Sequence, residues 1–114
     1  MTVTVIRTTG REEAHEVLRQ TAMLTIGRLI GAGDRGLDVV NLHDGRVMLV
    51  DGHGYETTPE TEDRGGIALV RLKPTRARLP VNETATALYL ATCRPGVTHQ
   101  IVGDVAIARD EDFA

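Results

Sequence analysis

The sequence has no tryptophan, one cysteine and aromatic side chains at only 3% of its 114 positions. A lone Cys93 makes no intrachain disulfide, so folding must rest on the core. The scarcity of aromatics removes the stacking platforms that single-strand nucleic-acid binders use. A balance of 13 Lys+Arg against 16 Asp+Glu, net charge -3, argues against a general nucleic-acid binder. No apolar run approaches the ~20 residues of a membrane span. Met1 to Gly10 lacks the charged-then-apolar layout of a signal peptide, so a cytoplasmic address is expected. Neither an internal repeat nor a domain linker is present, and one domain spanning residues 1–114 is expected. Its 41% hydrophobic residues suffice for a core, because a chain of this length buries roughly two thirds of its unfolded surface.

Thr2 to Thr8 alternates polar and β-branched residues and predicts a half-buried strand. Arg11 to Ile30 carries a helical stripe through Ala14, Val17, Leu18, Ala22, Ile26, Leu29 and Ile30. Its first part, Ala14 to Arg19, reads equally as a strand returning along Val3 to Thr8, with the helix confined to about Thr21 to Ile30. Gly31-Ala32-Gly33-Asp34-Arg35-Gly36 stops the helix. Leu37 to His43 and Arg46 to Asp51 flank Asp44-Gly45 and predict a two-residue hairpin. That turn sets Leu42 opposite Val47, Val40 opposite Leu49 and Asp38 opposite Asp51. Tyr55 to Gly66 is polar and acidic and predicts an exposed, mobile loop. Ile67 to Leu72 predicts a strand ended by Pro74. Asn82 is the expected N-cap of a second helix packing through Ala85, Leu88, Tyr89 and Thr92. A last strand over His99 to Ala108, bulged at Gly103-Asp104, precedes a charged tail at 109–114. The expected fold is α+β, an antiparallel sheet of four or five strands with two helices packed on one face.

Leu79-Pro80-Val81-Asn82-Glu83-Thr84-Ala85-Thr86, followed by Ile101-Val102-Gly103-Asp104, resembles a family of small domains of unknown function encoded by phages, plasmids and integrative elements. Leu37 to Val40 and Val47 to Gly54 also look like that family's central hairpin, so the likeness runs from about Thr21 to Ala108. Tyr55 to Arg78 is an insertion relative to its pattern. The helix exit Ile30-Gly31-Ala32-Gly33 departs from its paired glycines and aromatic. The resemblance implies an α+β fold, a strand then a helix within Arg11 to Ile30, and an accessory role on a mobile element. Some members accompany antirestriction-type genes, which brings counter-defence into view. It implies no catalytic residues.

Gly31, Gly33 and Gly36 follow a helix, the reverse of the order a phosphate loop requires, and read as a helix stop. Cys93, His99 and Asp104 match a thiol, a base and an orienting acid by type. Cys93, however, falls at a helix C-terminus, where the dipole disfavours thiolate, and reads as a structural cysteine. The predicted register brings Asp38 and Asp51 together with His53 two positions on, so either the ladder frays there, Arg35 bridges the carboxylates, or a divalent cation binds. With such a cation the set would suit hydrolysis or transfer on a phosphorylated small molecule. Arg71, Lys73, Arg76 and Arg78 form the one basic cluster. Such a cluster beside Pro74 reads as a guarded edge strand. Alternatively Arg76 and Arg78 join Asn82, Thr84 and the free amides of the second helix to hold an anion such as a nucleotide.

The expected function is a non-enzymatic binding module without catalytic residues or cofactor. It would capture a protein through a sheet edge or the Glu56 to Asp63 segment, or sequester a small anionic ligand. A free edge at Ile67 to Leu72 would favour partner addition or a homodimer.

Overall fold

The computed structural model describes residues 1–33 and 36–113. Strands β1 (Thr2–Ile6) and β2 (Glu12–Glu16) form a first hairpin, and a short 3-10 turn leads into helix α1 (Ala22–Leu29). The helix reading of Arg11 to Ile30 is thereby corrected: the strand alternative holds, set at Glu12–Glu16 and not at Ala14 to Arg19, and the helix is confined to Ala22–Leu29. Strands β3 (Leu37–Asn41), β4 (Arg46–Asp51), β5 (Tyr55–Arg64) and β6 (Ile67–Ala77) follow, then helix α2 (Glu83–Leu90) and strand β7 (Val105–Arg109). The five-stranded sheet has the order β2-β1-β7-β4-β3 and is antiparallel throughout. Its last-made strand, β7, lies in the middle.

The central position of β7 follows from its composition. Val105, Ala106, Ile107 and Ala108 are all buried, so both faces of this strand need cover. Ala106 and Ala108 join Val47, Leu49, Val3 and Val5 beneath Ala22, Ile26 and Ile30 of the α1 region. Val105 and Ile107 join Met48, Leu42 and Ile6 beneath Ala85, Leu88 and Tyr89 of α2. Successive strand residues point to opposite faces. The two helices thus pack on opposite faces of the sheet, which corrects the expectation of one face, because the apolar centre is two-sided.

The β3–β4 hairpin forms where its sequence predicts it, one residue out of the predicted register. Asn41 pairs with Val47, Val40 with Met48 and Asp38 with Val50. Side-chain caps cause the shift. Asn41 Oδ1 accepts from His43 N at 2.7 Å, and Asp44 Oδ1 accepts from Arg46 N at 3.1 Å. These bonds open the turn to three residues, His43 to Gly45, with His43 at φ 62.

Three further expectations are corrected. Tyr55 to Arg64 is a strand, and with β6 it makes a two-stranded arm separate from the main sheet. His99 to Val102 is not a strand; Val102 makes a single antiparallel bridge to Val81. The charged tail is shorter, since Arg109 belongs to β7 and Asp110–Phe113 winds into a 3-10 turn, with Ala114 outside the described residues. The arm also accounts for the dimensions. The radius of gyration is 15.5 Å, against about 13 Å for a compact chain of this size.

Candidate interaction surface

The arm is built by its turn and its β-branched residues. Gly65 and Gly66 stand at φ +61 and +84 between Arg64 and Ile67, which pair directly. Two positive-φ residues in a two-residue connection match the twist of antiparallel strands. Thr57, Thr58 and Thr61 on one strand and Ile67 and Val70 on the other suit an extended backbone. At its root, Tyr55 Oη donates to Gln100 O at 2.6 Å and Arg78 N donates to Gly54 O at 2.8 Å.

Pairing across the arm sorts its side chains. One face carries Arg64 with Ile67, Glu62 with Leu69, Glu60 with Arg71 and Thr58 with Lys73. Ion pairs lie on this face, Arg64 to Glu62 at 3.1 Å and Arg71 to Glu60 at 3.9 Å. The opposite face carries Asp63 with Ala68, Thr61 with Val70, Pro59 with Leu72 and Thr57 with Pro74. Apart from Asp63 at the tip, that face is uncharged. Val70 and Leu72 on it are 68% and 66% exposed, and Ile67 and Leu69 on the charged face stand in solvent as well. Only on the uncharged face do the apolar side chains lie without charged neighbours below the tip.

The uncharged face runs down into a cleft of about 410 Å³. Thr57 and Pro74 lie on its arm side, Val40 and Val50 of the β3–β4 hairpin line it together with Asp38, and His99 to Val102 complete the lining. Both tyrosines of the chain stand against the His99 ring, Tyr55 at 5.7 Å and Tyr89 at 6.2 Å between centroids. Burial pushes the Tyr55 phenol above its ordinary pKa, and the Cys93 thiol does so for Tyr89.

Of the residues proposed from the sequence for an anion, Arg76, Arg78, Asn82 and Thr84, the fold itself takes up Asn82. Asn82 does cap α2, its Oδ1 accepting from Ala85 N at 3.0 Å, but it is fully buried. Its Nδ2 donates to Ile6 O at 2.9 Å and Gly103 O at 3.0 Å, so every polar atom of the side chain is engaged within the fold. Arg76 stands opposite Glu56 in the arm, and Arg78, just beyond it, donates its amide to Gly54 O.

The cation set is separated by the same one-residue shift. Asp51 stands opposite Leu37, and Asp38 stands opposite Val50 on the other face. Asp51 Oδ1 accepts from His53 N at 2.9 Å. Among the described residues no three His, Cys, Asp or Glu side chains converge on a common point, and Arg35, the predicted bridge, lies outside them. Cys93, half-buried, donates its thiol to Tyr89 O at 3.3 Å. Asp104 is instead held by Arg7 Nη1 at 3.0 Å and Thr8 N at 2.9 Å, away from any cysteine chemistry.

Sequence reasoning finds β6 in part, as Ile67 to Leu72, whereas the strand runs on through Pro74 to Ala77, and it misses β5, for whose pairing the signal is Gly65-Gly66. Among the described residues no helix is long and apolar enough to cross a membrane. Compared with family models, curated proteins and solved structures, the chain matches none.

Proposed function

We propose that the protein is a non-enzymatic interaction module that docks a segment of another protein along the uncharged face of its arm, with the cleft taking the segment's end. The observation that carries this reading is the exposure of Val70 and Leu72 on a two-stranded arm. A lone two-stranded hairpin is marginally stable in water, and a contiguous apolar face on it gains from being covered. The chemistry of the partner follows from the lining. An extended segment with small apolar side chains matches Pro59, Val70, Leu72, Val40 and Val50, and a basic group at its end suits Asp38 in the cleft lining. The mobile-element and counter-defence setting implied by the resemblance forms part of the same proposal and would make the partner a host component. Anion sequestration has less to support it, since Asn82 offers no free polar atom.

A photo-crosslinking residue placed at position 72, on the uncharged face, tests the reading in the organism that encodes the chain. Position 62, on the charged face, is the control. The expected result is one foreign protein adduct of defined mass from position 72 and none from position 62. No foreign adduct from position 72, or the same adducts from both positions, would overturn it.

A further inference from the structure

The arm has two backbone edges, and they are guarded unequally. On β5, Pro59 lacks an amide donor, and Glu60, Glu62 and Asp63 crowd carboxylates along the strand. Those are the devices by which edge strands avoid pairing. On β6, the guards Lys73, Pro74 and Arg76 stand in the half nearest the body, and the outer run Ile67 to Leu72 holds one charge, Arg71, and no proline. Among the described residues its outer edge pairs with nothing, since β6 neighbours β5 alone. An unguarded run of high β propensity and low charge is a template for another strand.

We infer that this edge pairs with the same edge of a second copy of the chain, forming a homodimer through an antiparallel β6–β6 junction centred on Val70. The choice of occupant comes from the register. A two-fold axis normal to the sheet keeps each face on its own side, so only residues of the same face meet across it. Centring on Arg71 sets two guanidinium groups opposite each other, and centring on Leu72 sets Arg71 against the partner's Lys73. Like charges directly opposite are destabilising. Centring on Leu69 pairs only Ile67 to Arg71 before the turn glycines intervene.

Centring on Val70 pairs the whole stretch Ile67 to Lys73. Val70 meets the partner's Val70, Ala68 the partner's Leu72, Leu69 the partner's Arg71 and Ile67 the partner's Lys73. The ends fit as well. Pro74, which has no amide to offer, falls opposite the partner's Gly66, where the partner's strand has already turned. The body resumes only at Arg78, whose amide is tied to Gly54, so the partner's tip stops short of it. This junction uses the backbone edge of β6, whereas the docking proposal uses a side-chain face. Each can therefore fail without the other.

The test is native mass spectrometry and sedimentation equilibrium of the full chain and three variants. The wild type is expected to be dimeric in the micromolar range. Val70→Lys places two ammonium groups across the axis and is expected to be monomeric. Ile67→Glu sets a carboxylate against the partner's Lys73 and, within the arm, against Arg64, which preserves the hairpin. It is expected to bind its copy about tenfold more tightly than Ile67→Lys, from two symmetry-related pairs that change sign. A monomeric wild type, a dimeric Val70→Lys, or equal dissociation constants for the two Ile67 variants would overturn the inference. In the crosslinking experiment above, an adduct of twice the chain's own mass reports this junction, and a foreign adduct reports the docking face.

Discussion

Asn82, the N-cap of α2, and Ile6 at the end of β1 are joined by a buried hydrogen bond across 76 residues, Nδ2 donating to the Ile6 carbonyl at 2.9 Å. The same amide group donates to Gly103 O, and the side-chain oxygen caps the helix. One side chain therefore ties the α2 start to β1 and to the segment entering β7. Asn82→Ala would lose the cap and leave two buried carbonyls without this donor. The expected loss is about 2–4 kcal/mol, read from urea unfolding. Asn82→Asp is expected to be worse at neutral pH, because a carboxylate would face two carbonyl oxygens, and to recover partly in acid.

Glu13 provides a pH signature. It accepts from Arg7 Nη2 at 2.9 Å and contacts His15 Nε2 at 3.0 Å. The Arg7 hydrogen bond, then that of His15, lowers its pKa to about 2 from an ordinary value of 4.5. A carboxyl whose folded pKa is depressed binds its proton more readily when unfolded, so its stabilisation is complete above the unfolded value. The urea midpoint of wild type should exceed that of Glu13→Gln by a constant amount above about pH 5, and the gap should close between pH 4.5 and about 2. A gap unchanged at pH 2 would mean that Glu13 acts by packing.

Gly27 lies inside α1, where alanine ordinarily favours the helix by about 1 kcal/mol. Here a Cβ would come within 2.9 Å of the Gly33 carbonyl oxygen, because the chain folds back to bond Ala32 N and Gly33 N to Gly27 O. Gly27→Ala should therefore be net destabilising, by about 1–2 kcal/mol, with the sign reversed from propensity. Calorimetry of the single variant checks it.

The arm should be separable from the body. Gly66 stands at φ +84 with nothing within 4 Å of a Cβ built there, so Gly66→Val strains the turn without touching the core. A β-branched residue in the left-handed region costs about 1–2 kcal/mol, enough to open an isolated hairpin. Hydrogen exchange in β5 and β6 should accelerate while exchange in β1, β4 and β7 stays unchanged. Loss of protection in β7 as well would mean that arm and body unfold together.

Much of this fold is legible in local sequence. Asn82 reads as an N-cap because capping depends on the next three amides, and Ala85 N is its acceptor's partner as that rule requires. The hairpin around Asp44 is visible from its turn residues. Its register is not, because Asn41 and Asp44 bond the backbone two residues on and lengthen the turn, separating Asp38 from Asp51. Strand β5 escapes notice because Thr57, Pro59 and Thr61 make an uncharged face without hydrophobic alternation.

By itself, the sequence determined what neighbours within a few residues decide: that a hairpin turns at Asp44-Gly45, which residue caps α2, that one cysteine makes no intrachain bridge, and that the net charge is slightly negative. Tertiary structure decided the rest. Placing β7 between β1 and β4 makes the sheet two-faced and sends the helices to opposite sides. Bringing Arg7 to Asp104, 97 residues away, and Asn82 to Ile6 satisfies groups whose partners no local pattern identifies. Buried polar atoms must be paired wherever the chain supplies a partner, and that partner is chosen by the packing of distant elements.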